Sequence, residues 1–119
     1  MIEKMNYANE QAILYYRLFV RGFHTDFGNS PPAQMEGYLQ RPYLTARFHI
    51  ARLYSKIIAK DVEGSCKLHE ASLQHYKMIL NLAKQYSTKD FDDELNICKD
   101  MVELLPAKIV NLQRRARKD

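Results

Sequence analysis

Four histidines, two cysteines and one cluster of carboxylates are the side chains of this 119-residue chain whose types could do chemistry. His69 and His75 stand six residues apart, which on a helix places them on opposite faces, so they are not expected to share a metal ion; His75 is expected to be packed or hydrogen-bonded. His24 falls in a predicted loop and His49 on a polar stripe, neither with a Cys or carboxylate partner at useful spacing. Cys66 and Cys98 make no Cys-Xaa-Xaa-Cys pair and have no His at zinc-ligand spacing. Two such thiols fit a reducing, intracellular compartment. Asp90, Asp92, Asp93 and Glu94 lack the alternating oxygen ligands, central Gly and terminal Glu of a calcium loop; they are expected to complement the positive end of a helix dipole. There is no Gly-Xaa-Ser-Xaa-Gly, no phosphate-cradling Gly loop and no Cys/His pair that sequence brings together. The expectation is a protein that is not an enzyme, with no catalytic, cofactor-binding or metal-binding residues, no cofactor and no small-molecule substrate.

Two basic groupings remain. Thr45, His49, Arg52 and Lys56 recur at steps of four, three and four, a spacing that puts them on one helix face beside the apolar rows. Either this is an ordinary solvated face, or it lines the groove of a helical-repeat protein, where one helix of each hairpin faces the concave side. The stripe is taken as the candidate partner-facing surface, acting by shape and hydrogen bonding more than by net charge. The second grouping is Arg114, Arg115, Arg117 and Lys118, with Asp119 after them. This tail holds four of the 18 cations and one of the 14 acids, so residues 1–113 are nearly neutral although the whole chain carries +4. A basic helix end suits the negative end of the dipole. A nucleic-acid-binding domain would spread Lys and Arg over its main face, so nucleic acid is not an expected partner.

The elements that must position these residues are helical. In the first segment, residues 6–23, Ala8, Ala12, Tyr15, Phe19 and Phe23 recur at helical steps, with Tyr16 and Val20 widening the stripe. Residues 24–41 are predicted as a loop, because Pro31-Pro32 cannot sit inside a helix. Pro42 is expected to open a second helix, at the first-turn position that Pro tolerates best, running to about Lys60. It carries two apolar rows: Phe48, Ala51, Tyr54 and Ile58, and beside them Ala46, Ile50, Leu53 and Ile57. Ser65 is the expected N-cap of a third helix, and Ser87 and Thr88 of a fourth. In that last helix Phe91, Leu95, Cys98, Val102, Leu105, Ile109 and Leu112 keep a strict 4-3 spacing. The phase survives Pro106, which predicts one helix through the proline with Leu105 and Ile109 buried on the same side.

Helices apolar on two sides and joined by short turns predict an all-α fold: antiparallel helical hairpins in a tetratricopeptide-like solenoid fragment of about four helices. Residues 1–113 read as a single helical domain and 114–119 as a basic tail. The length suits one domain, the N-terminus is too polar for a signal peptide, and no uncharged apolar run approaches the ~18 residues of a membrane span. With no neighbour expected on its far side, the first helix should leave Phe19, Phe23 and Val20 partly exposed, open to self-association.

Four runs carry a resemblance. Arg41-Pro42-Tyr43-Leu44-Thr45-Ala46-Arg47-Phe48, continuing through Ile58, closely resembles a helix near the C-terminus of the KIF-binding protein family. Ser72-Leu73-Gln74-His75-Tyr76-Lys77 resembles the next helix of that family. The run from Lys99 to Lys108, Pro106 included, resembles its last helix, and Tyr15-Tyr16-Arg17-Leu18-Phe19 the one before the first. Order and spacing agree, whereas residues 24–40 and 60–68 match poorly. The resemblance implies an all-helical solenoid that is cytoplasmic and cytoskeleton-associated. It also implies that the chain binds kinesin motor domains and helps to block their attachment to microtubules, so regulating axonal and other microtubule-based transport. Family members are several times longer, and this chain corresponds to their C-terminal part. The alternative expectation is a truncated helical scaffold that binds another protein or itself.

Overall fold

The apolar periodicities become four helices in the computed structural model, which describes residues 1–24 and 35–118. They are α1 (Ile2–Arg21), α2 (Gly37–Lys56), α3 (Val62–Leu82) and α4 (Asp92–Lys118). The described residues contain no strand. Each helix packs on the next in chain order: α1 on α2, α2 on α3 and α3 on α4. The 27 residues of α4 rise about 40 Å at the usual helical pitch, which sets the long axis of a body measuring 49 × 29 × 29 Å.

The 4-3 stripe of α4 is its buried face. Cys98, Leu105, Ile109 and Leu112 are buried, Leu95 and Val102 pack against them, and the stripe begins at buried Phe91. The helix continues unbroken through Pro106, whose ring is exposed. Its N-terminus differs from expectation. Ser87 and Thr88 lie before the helix, and Asp90 takes a left-handed conformation (φ 61°) that Asp tolerates better than most residues. Phe91 then donates its N–H to the Thr88 carbonyl (3.0 Å) and accepts from the Leu95 N–H (3.0 Å). Phe91 thus stands in the N-cap position as an apolar anchor, while Asp92, Asp93 and Glu94 fill the first turn.

The other helices also differ in their bounds, α1 spanning Ile2–Arg21 against the expected residues 6–23. α2 begins at Gly37, so Pro42 is its sixth residue and not its first, and the loop expected to reach residue 41 stops sooner; its residues 25–34 lie outside the described ones. Gln40 fixes this early turn, its Nε2 donating to the Met35 carbonyl (2.8 Å) and its Oε1 accepting from the Ser87 N–H (2.6 Å). α2 ends at Lys56, short of Lys60, because Ile57 turns extended. There the Asn6 side chain from α1 donates to the Ile58 carbonyl (2.8 Å) and accepts from its N–H (3.0 Å). α3 is capped by Asp61, not Ser65: its Oδ1 accepts from the Gly64 N–H at 2.7 Å. A Cβ at position 64 would sit 3.0 Å from that oxygen and 3.2 Å from the Ala59 Cβ, so glycine lets the cap close.

α2 contributes more buried residues than any other helix. Its two apolar rows place Ala46, Phe48, Ile50 and Ala51 inside, with Tyr43 and Leu44 fully buried one turn earlier. Edge-to-face contacts run from Phe48 to both Tyr76 on α3 and Phe91 ahead of α4. Ser72, fully buried on α3, donates to the Ala51 carbonyl at 2.6 Å and satisfies its hydroxyl across the α2–α3 seam.

α1 uses a different face from the expected one. Ile13 and Val20 are buried and Tyr16 packs against the core, while Ala8, Tyr15 and Phe19 are exposed. Val20 therefore corrects the expectation of exposure, whereas Phe19 and Phe23 are only partly covered. The reason is physical: the second half of α1, from Ala12 to Val20, carries apolar residues on more than one side, so packing against α2 selects the face that is covered.

Candidate functional site

The four residues of the basic stripe fall along one edge of α2, and the structure splits them into two pairs. Thr45 and His49 form part of the wall of a hollow of about 450 Å³ between α1 and α2, faced across the gap by Tyr15, Tyr16 and Phe19. His49 stacks on Tyr16, with ring centroids 5.1 Å apart and planes inclined by 28°. Burial lowers its pKa below the usual value, Arg52 and Lys56 lower it further, and Glu94 opposes them. His49 is therefore a neutral aromatic plate at neutral pH and not a cation. Arg52 and Lys56 lie outside the hollow and are exposed. The Arg52 guanidinium covers the Phe48 ring at 5.7 Å, a placement that holds a flexible side chain near one position.

The lining of the hollow is mostly apolar, with Arg41, Thr45 and His49 as its polar members. Ala46 keeps the two backbones close, and Arg41 closes one end, its guanidinium 5.8 Å from the Phe91 ring and Nη1 donating to the Lys89 carbonyl at 3.1 Å. Beyond the aromatic wall, α1 continues as an uncovered apolar strip: Leu18 is 68% and Tyr15 69% exposed, with Leu14 half exposed beside them. Such an arrangement suits a protein surface or peptide with apolar side chains and a few hydrogen-bonding groups.

Sequence reasoning missed a second polar constellation, on the α3 side of the α1–α2 seam. Arg47 is buried (7% exposed). Its Nε donates to the Tyr43 hydroxyl (3.0 Å), and its two terminal nitrogens lie 3.2 Å from His75 Nδ1 and 3.4 Å from His24 Nε2. Burial first, then Arg47 and Arg17, push the His75 pKa down to about 4, so it is neutral and can accept. His75 is thus hydrogen-bonded, as expected of it, and faces α2, whereas His69 feels Lys108 of α4. The two histidines are not brought together. Among the described residues no three metal-ligating side chains cluster, and no helix is long and apolar enough to cross a membrane. Nothing local marks Arg47 as buried; a single Arg between Ala46 and Phe48 reads as one more surface cation.

Fold and surface together define an all-α protein of consecutively packed helices with an open, aromatic-walled groove. The family model described as KIF-1 binding protein C terminal matches residues 1–112, and the chain belongs to that family. It is 33% identical over 111 residues to the KIF-binding protein of Homo sapiens, covering 92% of this chain and 18% of that protein. The KIF-binding protein of Gallus gallus is 31% identical over 116 residues, covering 96% and 19%. That of Drosophila melanogaster is 27% identical over 126 residues, covering 98% and 20%. The chain therefore spans about a fifth of the length of the curated relatives it matches. No solved structure matches it significantly.

Proposed function

We propose that this chain is a non-enzymatic, kinesin-motor-binding helical module whose contact surface is the α1–α2 groove, with Thr45 and His49 in its wall, together with Arg52 and Lys56 on the same edge of α2 outside it. The observation that carries the reading is the family match over residues 1–112, to relatives named for binding KIF proteins. The groove supports it: a mostly apolar lining with a few polar side chains suits a protein partner. In this reading residues 1–113 act as one domain of a tetratricopeptide-like solenoid, 114–119 are a basic tail, and the protein is cytoplasmic and associated with the cytoskeleton. Occupying a motor in this way would keep it from microtubules and so regulate transport along them. The test is titration of the purified chain onto an immobilised kinesin motor domain. Saturable binding is expected, and its absence at high micromolar concentration overturns the reading.

The uncovered strip on α1 favours a second reading, a helical scaffold that self-associates. Exposed contiguous apolar surface on a small protein commonly marks an interface. Sedimentation equilibrium separates the two readings. A dimer disrupted by Leu18→Glu, with no motor binding, supports the scaffold; a monomer that binds motor supports the first.

A further inference from the structure

We propose that the hollow enclosed by α1, α2 and α3 is a binding site for a phosphate-class oxyanion, held by Arg17, Arg21 and Arg47. This hollow is separate from the groove and measures about 540 Å³. Its wall contains three guanidiniums, two imidazoles and Gln74, and no carboxylate among the described residues. Three cations on one wall, with no acid among the described residues that line it, raise the energy of the folded state because like charges are brought together. The one ion pair among the described residues, Lys67 with Glu63, lies on the exposed surface of α3 and does not touch this wall.

Two observations point to an anion. Arg47 is buried, yet the groups that hold it are the neutral Tyr43, His75 and His24. A guanidinium has five N–H bonds; Nε–H goes to Tyr43 and one Nη1–H to His75, and the longer Nη2 contact competes with the Tyr43 hydroxyl for the one lone pair of His24 Nε2, so at least two N–H bonds are left. The second observation is His24. Arg47 Nη2, which can only donate, lies 3.4 Å from His24 Nε2, so Nε2 is the acceptor there and the Tyr43 hydroxyl, 2.9 Å away, donates to it. That assigns the imidazole proton to His24 Nδ1, which is buried and has no partner among the described residues. The hollow thus gathers fixed donors and positive charge, with no matching acceptor among the described residues.

The charge count selects among oxyanions. A carboxylate would neutralise one of three guanidiniums and offer two oxygens. A phosphate monoester carries about two negative charges and three terminal oxygens, enough to give each Arg a charge-assisted bond, and pyrophosphate carries more of both. Arg17 and Arg21 are four residues apart on α1 and so share a face, opposite the Arg47 fork.

The test is calorimetric and thermal titration of the full chain with pyrophosphate and inorganic phosphate at constant ionic strength, with acetate and glutamate as the carboxylate arm. The expected result is saturable binding of pyrophosphate and weaker saturable binding of phosphate, with a rise in Tm that saturates alongside. Arg17→Gln/Arg21→Gln, both exposed positions, should not lower the ligand-free Tm and should weaken binding about a hundredfold or more, the loss of two charge-assisted bonds. In nitrogen-detected spectra the Arg47 Nε–H resonance should shift on titration. A Tm rise that never saturates and is equal in the variant is the general effect of excluded salts and overturns the proposal. Equal affinity for acetate overturns the phosphate assignment.

Discussion

Replacing Pro106 with Ala should stabilise the protein. Pro106 lies inside α4 with its ring exposed, so the substitution removes no buried contact. Proline in a helix interior costs about 3 kcal/mol relative to alanine, because it lacks the N–H that would reach the carbonyl of Val102 and its ring crowds that turn. Against this stands the packing of Leu105 and Ile109, buried on either side of the proline. If restoring the hydrogen bond shifts their side chains slightly, repacking returns about 1–2 kcal/mol. The net gain is about 1–2 kcal/mol, and for a chain of this size each kcal/mol moves Tm by about 3–6 °C. Urea and thermal unfolding followed by far-UV circular dichroism measure it. Pro106→Gly is the internal control: it also restores the N–H but loses about 1 kcal/mol of helix propensity relative to Ala, so it should fall between the two. An Ala variant no more stable than the parent would refute the reasoning, and would mean that proline geometry itself seats Leu105, Ile109 and Leu112.

Two further outcomes follow from buried titratable groups. The folded-state pKa of His75 is lowered to about 4 from 6.5, so the unfolded chain binds the extra proton between those values, and stability falls as pH drops from about 6.5 toward 4. The loss from this one group is up to about 3 kcal/mol; His24, His49 and His69 are lowered too and add with the same sign. Urea midpoints across that window should show the slope, and His75→Gln should flatten it; a parent protein equally stable at both ends would contradict the assignment. Cys98 is fully buried and its thiol is pushed up to about 12 by burial. It should resist thiol reagents in the native protein and react at once in denaturant, so native labelling as fast as that of a model thiol would show that the core opens there.

How much of this was legible in the sequence depended on how many neighbours each helix has. α4 could be read residue by residue, because one helix packed along one side must repeat its apolar residues every 3.5 positions, and the phase survives even a proline. α2 gave its two rows for the same reason, but not its start: Gln40 holds the first turn through Met35 and Ser87, and a partner 47 residues away leaves no local trace. The Asp61 cap carried a readable signal, an Asp three residues before a Gly, and Ser65 outweighed it only because it stands nearer the apolar run. α1 was misread for the opposite reason. With apolar residues on several sides, its sequence allows more than one stripe, and contact with α2 decides. At the candidate site, helical spacing correctly put Thr45, His49, Arg52 and Lys56 on one edge, but could not foresee that Tyr16 would stack on His49 or that Phe48 would carry Arg52. The Arg47 cluster draws on four separated positions, which only the folded chain brings together.

The central claim, that the α2 edge of the groove meets a kinesin motor, is tested most directly by measuring motor-domain affinity for the parent chain and for the triple substitution of Thr45, Arg52 and Lys56 to Ala, at low and high salt. Exposed charge pairs contribute only about 0–1 kcal/mol each and fade as salt shortens the screening length. The account predicts an unchanged melting curve and a loss of affinity of roughly tenfold or more that persists at high salt, beyond what screened charge pairs supply. Undiminished binding by the triple variant at both salt concentrations would contradict it, and would reduce the stripe to solvated surface.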